Sequence, residues 1–199
     1  MRAPGAVRPA EELVSGDVRL RRWRVADVGE LHRAINESLP HLRPWMPWAA
    51  GDYDHAAAAA FLARCEDSWN SGEAYSYAII AGELAGACGL ERRIEPDGLE
   101  IGYWLRPRHT GRGLATLATA ALVEQAFALP GIERVQIWHD AANTASSGIP
   151  RRLGFTEIAR RTPPRDPLAP GEVGIDVVWQ FTRAATGAGQ AVSPGASQR

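Results

Sequence analysis

The feature that most constrains the fold is a junction between a strand, a basic glycine-containing loop and a long apolar helix. Residues 99–107 (LEIGYWLRP) read as a strand, residues 108–113 (RHTGRG) as the loop, and residues 114–129 (LATLATAALVEQAFAL) as the helix. The helix has no ionised residue before Glu124. A helix this apolar has to be covered on several sides, which favours a layered α/β domain in which it packs on a sheet.

The loop sequence indicates an anion site. Glycines at 111 and 113 let the backbone curl and approach a ligand, because no Cβ blocks the way. The N-terminus of the following helix presents unpaired N–H groups and a partial positive charge. Arg108 and Arg112 add charge. We therefore predict a phosphate or pyrophosphate cradle, with a merely tight strand–helix turn as the alternative.

Two familiar phosphate-binding motifs are excluded. The chain has no GxxxxGK[ST] run, so the loop is not a Walker loop. The dinucleotide fingerprint GxGxxG fails as well, because Thr116 stands where its last glycine would be. The loop therefore belongs to another phosphate-binding motif or has only a structural role.

Strand and helix patterns alternate along the chain, and they predict a mixed sheet covered by helices. Residues 75–80 and 84–94 flank a short Ala-Gly-Glu turn and form a predicted hairpin. The other predicted strands cover 18–23, 99–106, 132–139, 155–161 and 173–182, and the predicted helices cover 25–39, 54–70, 114–129 and 144–153.

Composition limits the class of protein. The chain has 199 residues, of which 45% are hydrophobic, and a net charge of −1. These values suit one domain, predicted over 17–183 between a loose segment 1–16 and a disordered tail 184–199, and they disfavour nucleic-acid binding. Cys65 and Cys88 lack metal-site spacing, no metal is expected, and two reduced thiols are predicted. Without an apolar leader or membrane-spanning run, the expected location is cytoplasmic.

The combined motifs resemble the GNAT (GCN5-related) acyltransferases, whose acyl-CoA signature is [RQ]xxGx[GA]. Arg108, Gly111 and Gly113 match that signature. The preceding EIGYWLRP is similar to the RimJ/RimL-like branch of ribosomal-protein N-terminal acetyltransferases, as are residues 42–49 (LRPWMPWA) and 143–155 (NTASSGIPRRLGF). The likeness runs in order from residue 18 to 183.

This resemblance implies the GNAT fold, a mixed and mostly antiparallel α/β (α+β) sheet with helices on both faces. Acyl-CoA, here acetyl-CoA as co-substrate, would lie where the parallel strands 99–106 and 132–139 splay apart. A backbone N–H near Leu105 would stabilise the developing oxyanion. The implied cofactor-binding residues are Trp104, Leu105, Arg108, His109, Thr110, Gly111, Arg112, Gly113, Leu114, Ala115 and Asn143.

Two residues are candidates for the chemistry of acyl transfer. Glu100 is the predicted base, because many GNAT enzymes place a carboxylate on this strand; an exposed or ion-paired strand glutamate is the alternative. Many relatives carry a tyrosine that acts as the acid at the position where this chain has Pro150. The RimL-like branch instead has a serine at the position of Ser146, and its hydroxyl would hydrogen-bond the leaving thiolate. Asn143 and Ser146 could instead only cap the short helix.

Trp45 and Trp48 are predicted to wall an acceptor pocket, with a hydrophobic plug as the alternative. The predicted reaction is direct attack of a primary amine on the thioester. The acceptor would be a protein N-terminus, or otherwise a small amine such as an antibiotic or amino acid. A non-catalytic acyl-CoA-binding module is a further alternative. Loops 40–52 and 162–171 would select the acceptor, and the oligomeric state is open, a dimer included.

Overall fold

The computed structural model describes residues 7–183, which form an eight-stranded mixed sheet in the spatial order β1-β2-β3-β4-β5-β6-β8-β7. Neighbouring strands are antiparallel except for β5 and β6, which are parallel. The strands are β1 (Glu12–Ser15), β2 (Val18–Arg22), β3 (Ala74–Ala81), β4 (Glu83–Ile94), β5 (Gly98–Leu105), β6 (Arg134–Asp140), β7 (Thr156–Arg161) and β8 (Asp176–Thr182).

Helices cover both faces of this sheet. The helices are α1 (Val28–Leu42), α2 (His55–Ser71), α3 (Leu114–Ala128) and α4 (Thr144–Arg152). α1 and α2 share one core cluster with one face of the sheet, and α3 packs into a second cluster on the other face. The mixed, mostly antiparallel sheet with helices on both faces is therefore confirmed.

The apolar character of α3 follows from its place in the core. Leu114, Ala118 and Leu122 are almost fully buried against the sheet, and the small alanines let the helix lie close to the strands. The helix that the sequence singled out is thus the one that fixes the glycine loop against the sheet.

β5 and β6 separate after a short paired stretch. Their parallel register runs from Gly98 opposite Arg134 to Glu100 opposite Gln136 and goes no further. β5 stays paired with β4 along its length, and β6 stays paired with β8. The two strands therefore form the predicted V-shaped opening, with Glu100 at its apex.

The N-terminal segment differs from the prediction of a loose chain over 1–16. Residues Glu12–Ser15 form β1, an edge strand paired with β2. Gly16, at a φ of 55°, makes the tight turn between them. Tyr77 also donates its hydroxyl to the carbonyl of Ala10 at 2.9 Å. The predicted tail 184–199 lies outside the described residues, as do residues 1–6.

None of the helices within residues 7–183 combines the length and the apolar composition that a membrane span requires.

Candidate active site

A cleft of about 1040 Å³ opens where β5 and β6 separate. It runs from the glycine loop, past the free edges of the two strands, to the segment after α1 and the loop that joins β7 to β8. Most of the predicted site residues line it, namely Trp45, Trp48, Glu100, Trp104, Leu105, Thr110, Gly111, Gly113, Leu114, Ala115, Asn143 and Ser146.

The free edge of β5 offers backbone donors to this cleft. Arg106 donates its backbone N–H to Ala85 of β4 at 2.8 Å. Because successive N–H groups of a strand point to opposite sides, those of Leu105 and Tyr103 point toward the gap left by β6. An extended, amide-containing ligand could pair with this edge as an added strand. The position of Leu105 fits the predicted oxyanion donor.

The glycine loop leads directly into α3. Gly111 and Gly113 have φ values of 72° and 76°, which an L side chain rarely adopts. Gly113 is the N-cap residue of α3, and no side chain caps the helix there. The N–H groups of the first turn therefore remain available to an anion in the cleft.

The side chains of Arg108, His109 and Arg112 are not among those that line the cleft, and the prediction that these three residues bind the cofactor stays a prediction. Arg108 donates to Glu83 at 2.6 and 3.1 Å and to Glu37 at 3.3 Å. His109 is buried, with Nε2 3.2 Å from Glu83 and Nδ1 3.1 Å from Arg112. The bond from Arg108 also holds the pKa of Glu83 below its usual value. These contacts fix the three side chains against the loop, and the backbone N–H groups of the loop remain the candidate anion donors.

Arg152 of α4 supplies a cation on the cleft that the sequence reasoning missed. It lines the cleft beside the first turn of α3 and donates to Thr116 Oγ1 through Nε and Nη2 at 3.3 and 3.2 Å. A guanidinium here could pair with a phosphate held by the glycine loop. Nothing in the local sequence distinguishes Arg152 from its neighbour Arg151.

Ser146 lies at the start of α4 and faces the cleft. Asn143 caps the helix by accepting a hydrogen bond from the backbone N–H of Ser146 at 3.1 Å, so the capping role is observed. Ser146 Oγ lies 3.0 Å from the hydroxyl of Tyr103 on β5. Burial raises the pKa of Tyr103 to about 12, so its phenol stays protonated at neutral pH.

Pro150 accounts for this tyrosine contact. A proline has no N–H to donate to the carbonyl four residues earlier, which is that of Ser146. The Tyr103 hydroxyl lies 3.3 Å from that carbonyl oxygen. The phenol of Tyr103 on β5 therefore lies beside both oxygen atoms of Ser146.

Aromatic side chains surround the far end of the cleft. Trp45 and Trp48 line it from the segment after α1, together with Trp104 and Trp138 from the sheet. Trp48 is 47% exposed, so it is not a buried plug. The geometry fits the prediction that these indoles wall an acceptor pocket.

The loop between β7 and β8 covers this end and is fixed by Asp140. Oδ1 of Asp140 accepts from the N–H groups of Ala142 and Val173 at 2.8 and 3.1 Å, and Oδ2 from Gly174 and Ile175 at 2.8 and 3.1 Å. Burial opposes ionisation of Asp140, but the four bonds outweigh it and hold the pKa below its usual value.

Glu100 is part of an ion-pair cluster on the cleft wall. Arg165, from the same loop, places two nitrogens at 2.8 Å from the two carboxylate oxygens, and Arg93 lies 3.8 Å away. The Arg165 guanidinium also lies 4.1 Å from the ring centroid of Trp138. The ion-paired alternative for Glu100 is thus what the structure shows, and its role in catalysis stays a prediction.

A second, smaller hollow lies away from this cleft. This hollow of about 540 Å³ beside β1 and β2 is lined by charges that pair with one another, such as Arg22 and Glu11 at 2.6 Å. Over residues 7–183, no group of three or more His, Cys, Asp or Glu side chains is placed to hold a metal ion.

The fold and the cleft agree with the comparison to protein families. Residues 17–156 match the model of the acetyltransferase (GNAT) domain, and the chain belongs to this family. The match includes β2 through β6 and therefore the glycine loop and both splayed strands.

One relative by sequence and two solved structures are similar to this chain. YdaF of Bacillus subtilis (strain 168), whose name describes a ribosomal N-acetyltransferase, is 27% identical over 172 residues, which cover 83% of this chain and 91% of YdaF. RimL, the ribosomal L7/L12 alpha-N-protein acetyltransferase solved with coenzyme A, superposes with a TM-score of 0.78 at 23% identity, covering 85% of this chain and 96% of RimL. Mycobacterium smegmatis RimJ, solved with a CoA disulfide, has a TM-score of 0.74 at 21% identity, with coverage of 86% and 85%. The two solved structures share the fold of this chain.

Proposed function

We propose that this protein transfers the acetyl group of acetyl-CoA to the α-amino group of a protein N-terminus. The observation that carries the proposal is the opening between β5 and β6, bounded at one end by the uncapped first turn of α3 and at the other by an aromatic pocket. This arrangement has separate places for a pyrophosphate, an extended amide arm and an amine acceptor.

The cofactor would lie along the free edge of β5. Its pyrophosphate would bind the N–H groups that follow Gly111 and Gly113, with Arg152 adding charge. Its amide arm would pair with the strand, which brings the thioester carbonyl to the N–H near Leu105. That N–H would stabilise the oxyanion formed when the amine attacks.

Ser146 would assist the leaving sulfur. Its hydroxyl faces the cleft, close to the N-terminus of α4, where the helix dipole favours negative charge. A hydrogen bond from Ser146 to the thiolate would stabilise the leaving group, and Tyr103 would hold the hydroxyl in place. The thiolate then leaves as the thiol after it gains a proton.

The lining of the acceptor end favours a peptide. The indoles of Trp45, Trp48, Trp104 and Trp138 provide flat surfaces along which an extended chain can lie. The names of YdaF and RimL, which refer to ribosomal acetyl acceptors, point in the same direction.

A thiol-release assay with acetyl-CoA tests the proposal. The acceptors are peptides with a free N-terminus and no lysine, the same peptides with a blocked N-terminus and one lysine, and small amines such as amino acids and aminoglycosides. We expect release with the first group, at a rate far above the hydrolysis background. Release only with small amines would replace the peptide acceptor, and acetyl-CoA binding without release for any amine would favour the binding-module alternative.

A further inference from the structure

Two glutamates face each other across the β4–β5 pair at the acceptor end of the cleft. Glu91 of β4 is directly opposite Glu100 of β5 in the antiparallel register, so both side chains lie on the same face of the sheet. Both line the cleft. Like charges in directly opposed positions destabilise a sheet unless a cation or a proton compensates one of them. The negative charges of the two glutamates are compensated in different ways.

Glu100 is compensated by arginines. Its two carboxylate oxygens each lie 2.8 Å from a nitrogen of Arg165, and Arg93 is 3.8 Å away. Glu100 is only 9% exposed. To accept a proton from an amine, it would have to give up this paired geometry and leave the Arg165 charge without its partner, which is costly in a buried place.

Glu91 has no such partner. Within the described part of the chain it forms no salt bridge, and its side chain is accessible to water from the cleft. The charged or titratable groups around it are Glu100 on β5, Arg93 on β4 and Arg165 and Asp166 on the β7–β8 loop; the buried thiol of Cys65 approaches from α2. Arg93 is 2.8 Å from Asp166. The nearby arginines are thus already engaged by other carboxylates.

The space at Gly102, on the strand next to that of Glu91, is open. Gly102 follows Glu100 on the same face of β5, and a Cβ placed there would have no neighbour within 4 Å. An acceptor amine could therefore lie against the sheet between the two glutamates and the indole of Trp104, within reach of the thioester.

From this geometry we infer that Glu91 accepts the proton of the acceptor amine, and that Glu100 is a positioning residue that holds Arg165 at the acceptor pocket. This inference rests on the proposed function. It assigns the base to the strand next to the one on which the sequence placed it.

The electrostatics agree with the geometry. The Glu91 side chain reaches water, but the surrounding protein partly desolvates its carboxyl; this desolvation, followed by the negative charge of Glu100, raises the pKa of Glu91 above its usual value. A carboxylate with a raised pKa is a better proton acceptor near neutral pH than an ordinary glutamate.

The acceptor nitrogen loses two protons during the reaction. The acceptor ammonium gives one proton to Glu91, directly or through one water, and the neutral nitrogen attacks the thioester carbon. The C–N bond forms, the C–S bond breaks, and the nitrogen sheds a second proton as the sulfur leaves and becomes the thiol. Glu91 returns its proton to solvent, so the products are the amide, the free thiol of CoA and one proton.

The pH dependence of kcat/KM distinguishes the two glutamates. An enzyme with a working base shows a plateau between the pKa of the base and that of the acceptor amine, about 8 for an α-amino group. Without the base, the rate follows the small neutral fraction of the amine and rises tenfold per pH unit. We expect Glu91→Gln to convert the plateau into this slope, with a loss of roughly 100-fold at pH 6 that largely recovers at pH 9.

Glu100→Gln is the matched comparison, and Glu157→Gln on the exposed strand β7 is the control outside the cleft. We expect Glu100→Gln to raise the acceptor KM while the plateau persists, and Glu157→Gln to leave both unchanged. A slope in Glu100→Gln with a plateau in Glu91→Gln would overturn the inference. If the native enzyme releases no thiol with any amine, both the proposed function and the inference are wrong. If the native enzyme is active and Glu91→Gln leaves its pH profile of kcat/KM unchanged, only the inference is wrong.

A direct titration covers the case of a poorly folded Glu91→Gln protein. Carboxyl ¹³C chemical shifts of the native protein, with Glu91 assigned by Glu91→Asp, report the pKa of Glu91 without turnover. A value above that of an ordinary glutamate supports the inference, and an ordinary or lowered value contradicts it.

Discussion

A substitution of Asp140 tests how the loop between β7 and β8 is fixed in place. Each of its carboxylate oxygens accepts two backbone N–H bonds, three of the four from Val173, Gly174 and Ile175 in the loop between β7 and β8. Asp140→Asn keeps the shape of the side chain, but it replaces one oxygen with an NH₂ group. That group faces two N–H donors and cannot accept from them.

The expected loss of stability follows from the two hydrogen bonds that Asp140→Asn removes. A hydrogen bond to a charged group contributes about 1.5–3 kcal/mol, so losing two of them costs about 3 kcal/mol at the lower bound. For a domain of this size, 1 kcal/mol shifts Tm by about 2–4 °C, which gives a decrease of roughly 6–12 °C. Because the loop carries Arg165, we also expect a higher acceptor KM with little change in acetyl-CoA affinity.

The pH dependence provides an internal check. The folded pKa of Asp140 lies below its unfolded value, so its stabilisation is fully present above the unfolded pKa of about 3.9 and is lost as the pH falls through the folded pKa. The difference in unfolding free energy between native and Asp140→Asn proteins should therefore be largest near neutral pH and shrink below pH 4.

Thermal and urea unfolding at pH 7 and at acid pH measure both effects. Asp166→Asn is the matched control, since Asp166 lies on the same loop with its side chain 55% exposed and should cost less than about 1 kcal/mol. An Asp140→Asn protein with the native Tm at pH 7, or a difference that stays constant down to acid pH, would refute this account of the loop.

Three further changes test other parts of the cleft. Gly113→Trp should abolish the thermal protection by acetyl-CoA, because a φ of 76° strains any side chain and an indole there would obstruct the anion site; unchanged affinity in calorimetry would remove the glycine loop from the cofactor site. Ser146→Ala should lower kcat by roughly 10- to 1000-fold with acetyl-CoA binding retained, and an unchanged kcat with chemistry rate-limiting would leave Ser146 only a helix residue. Trp48→Ala should raise the acceptor KM and spare acetyl-CoA binding in calorimetry; an unchanged acceptor KM would remove Trp48 from the acceptor pocket.

The parts of the fold that the sequence predicted are those set by local patterns. The apolar run of α3, the hairpin of β3 and β4 and the glycine positions all depend on periodicity or on backbone preferences of single residues. β1 was missed because four residues, Glu12–Ser15, carry too short a pattern to be distinguished from a loose segment.

The parts of the site that were missed depend on partners far away in sequence. Arg108 matches the family signature, but whether its side chain points to the ligand depends on Glu83 and Glu37, which lie 25 and 71 positions away. Tyr103 meets Ser146 across 43 positions. Such pairs follow from strand order and helix placement, which a single sequence does not determine.

The relation between Glu91 and Glu100 illustrates the same limit within one hairpin. Both residues stand on strands that the sequence predicted, yet their pairing depends on the turn and on a register shift between Glu91 and Ile94. A shift of one residue would place Glu91 on the opposite face of the sheet, so only the observed register places it on the cleft.

The most direct test of the central claim is to locate the acetyl group after one reaction. The full chain is incubated with acetyl-CoA and a peptide that has both a free N-terminus and an internal lysine, and the product is fragmented in a mass spectrometer. We predict one acetyl group on the α-amino nitrogen, dependent on acetyl-CoA and greatly reduced with Gly113→Trp. Acetyl on the lysine alone, or none on any peptide while a small amine is acetylated, would contradict the account.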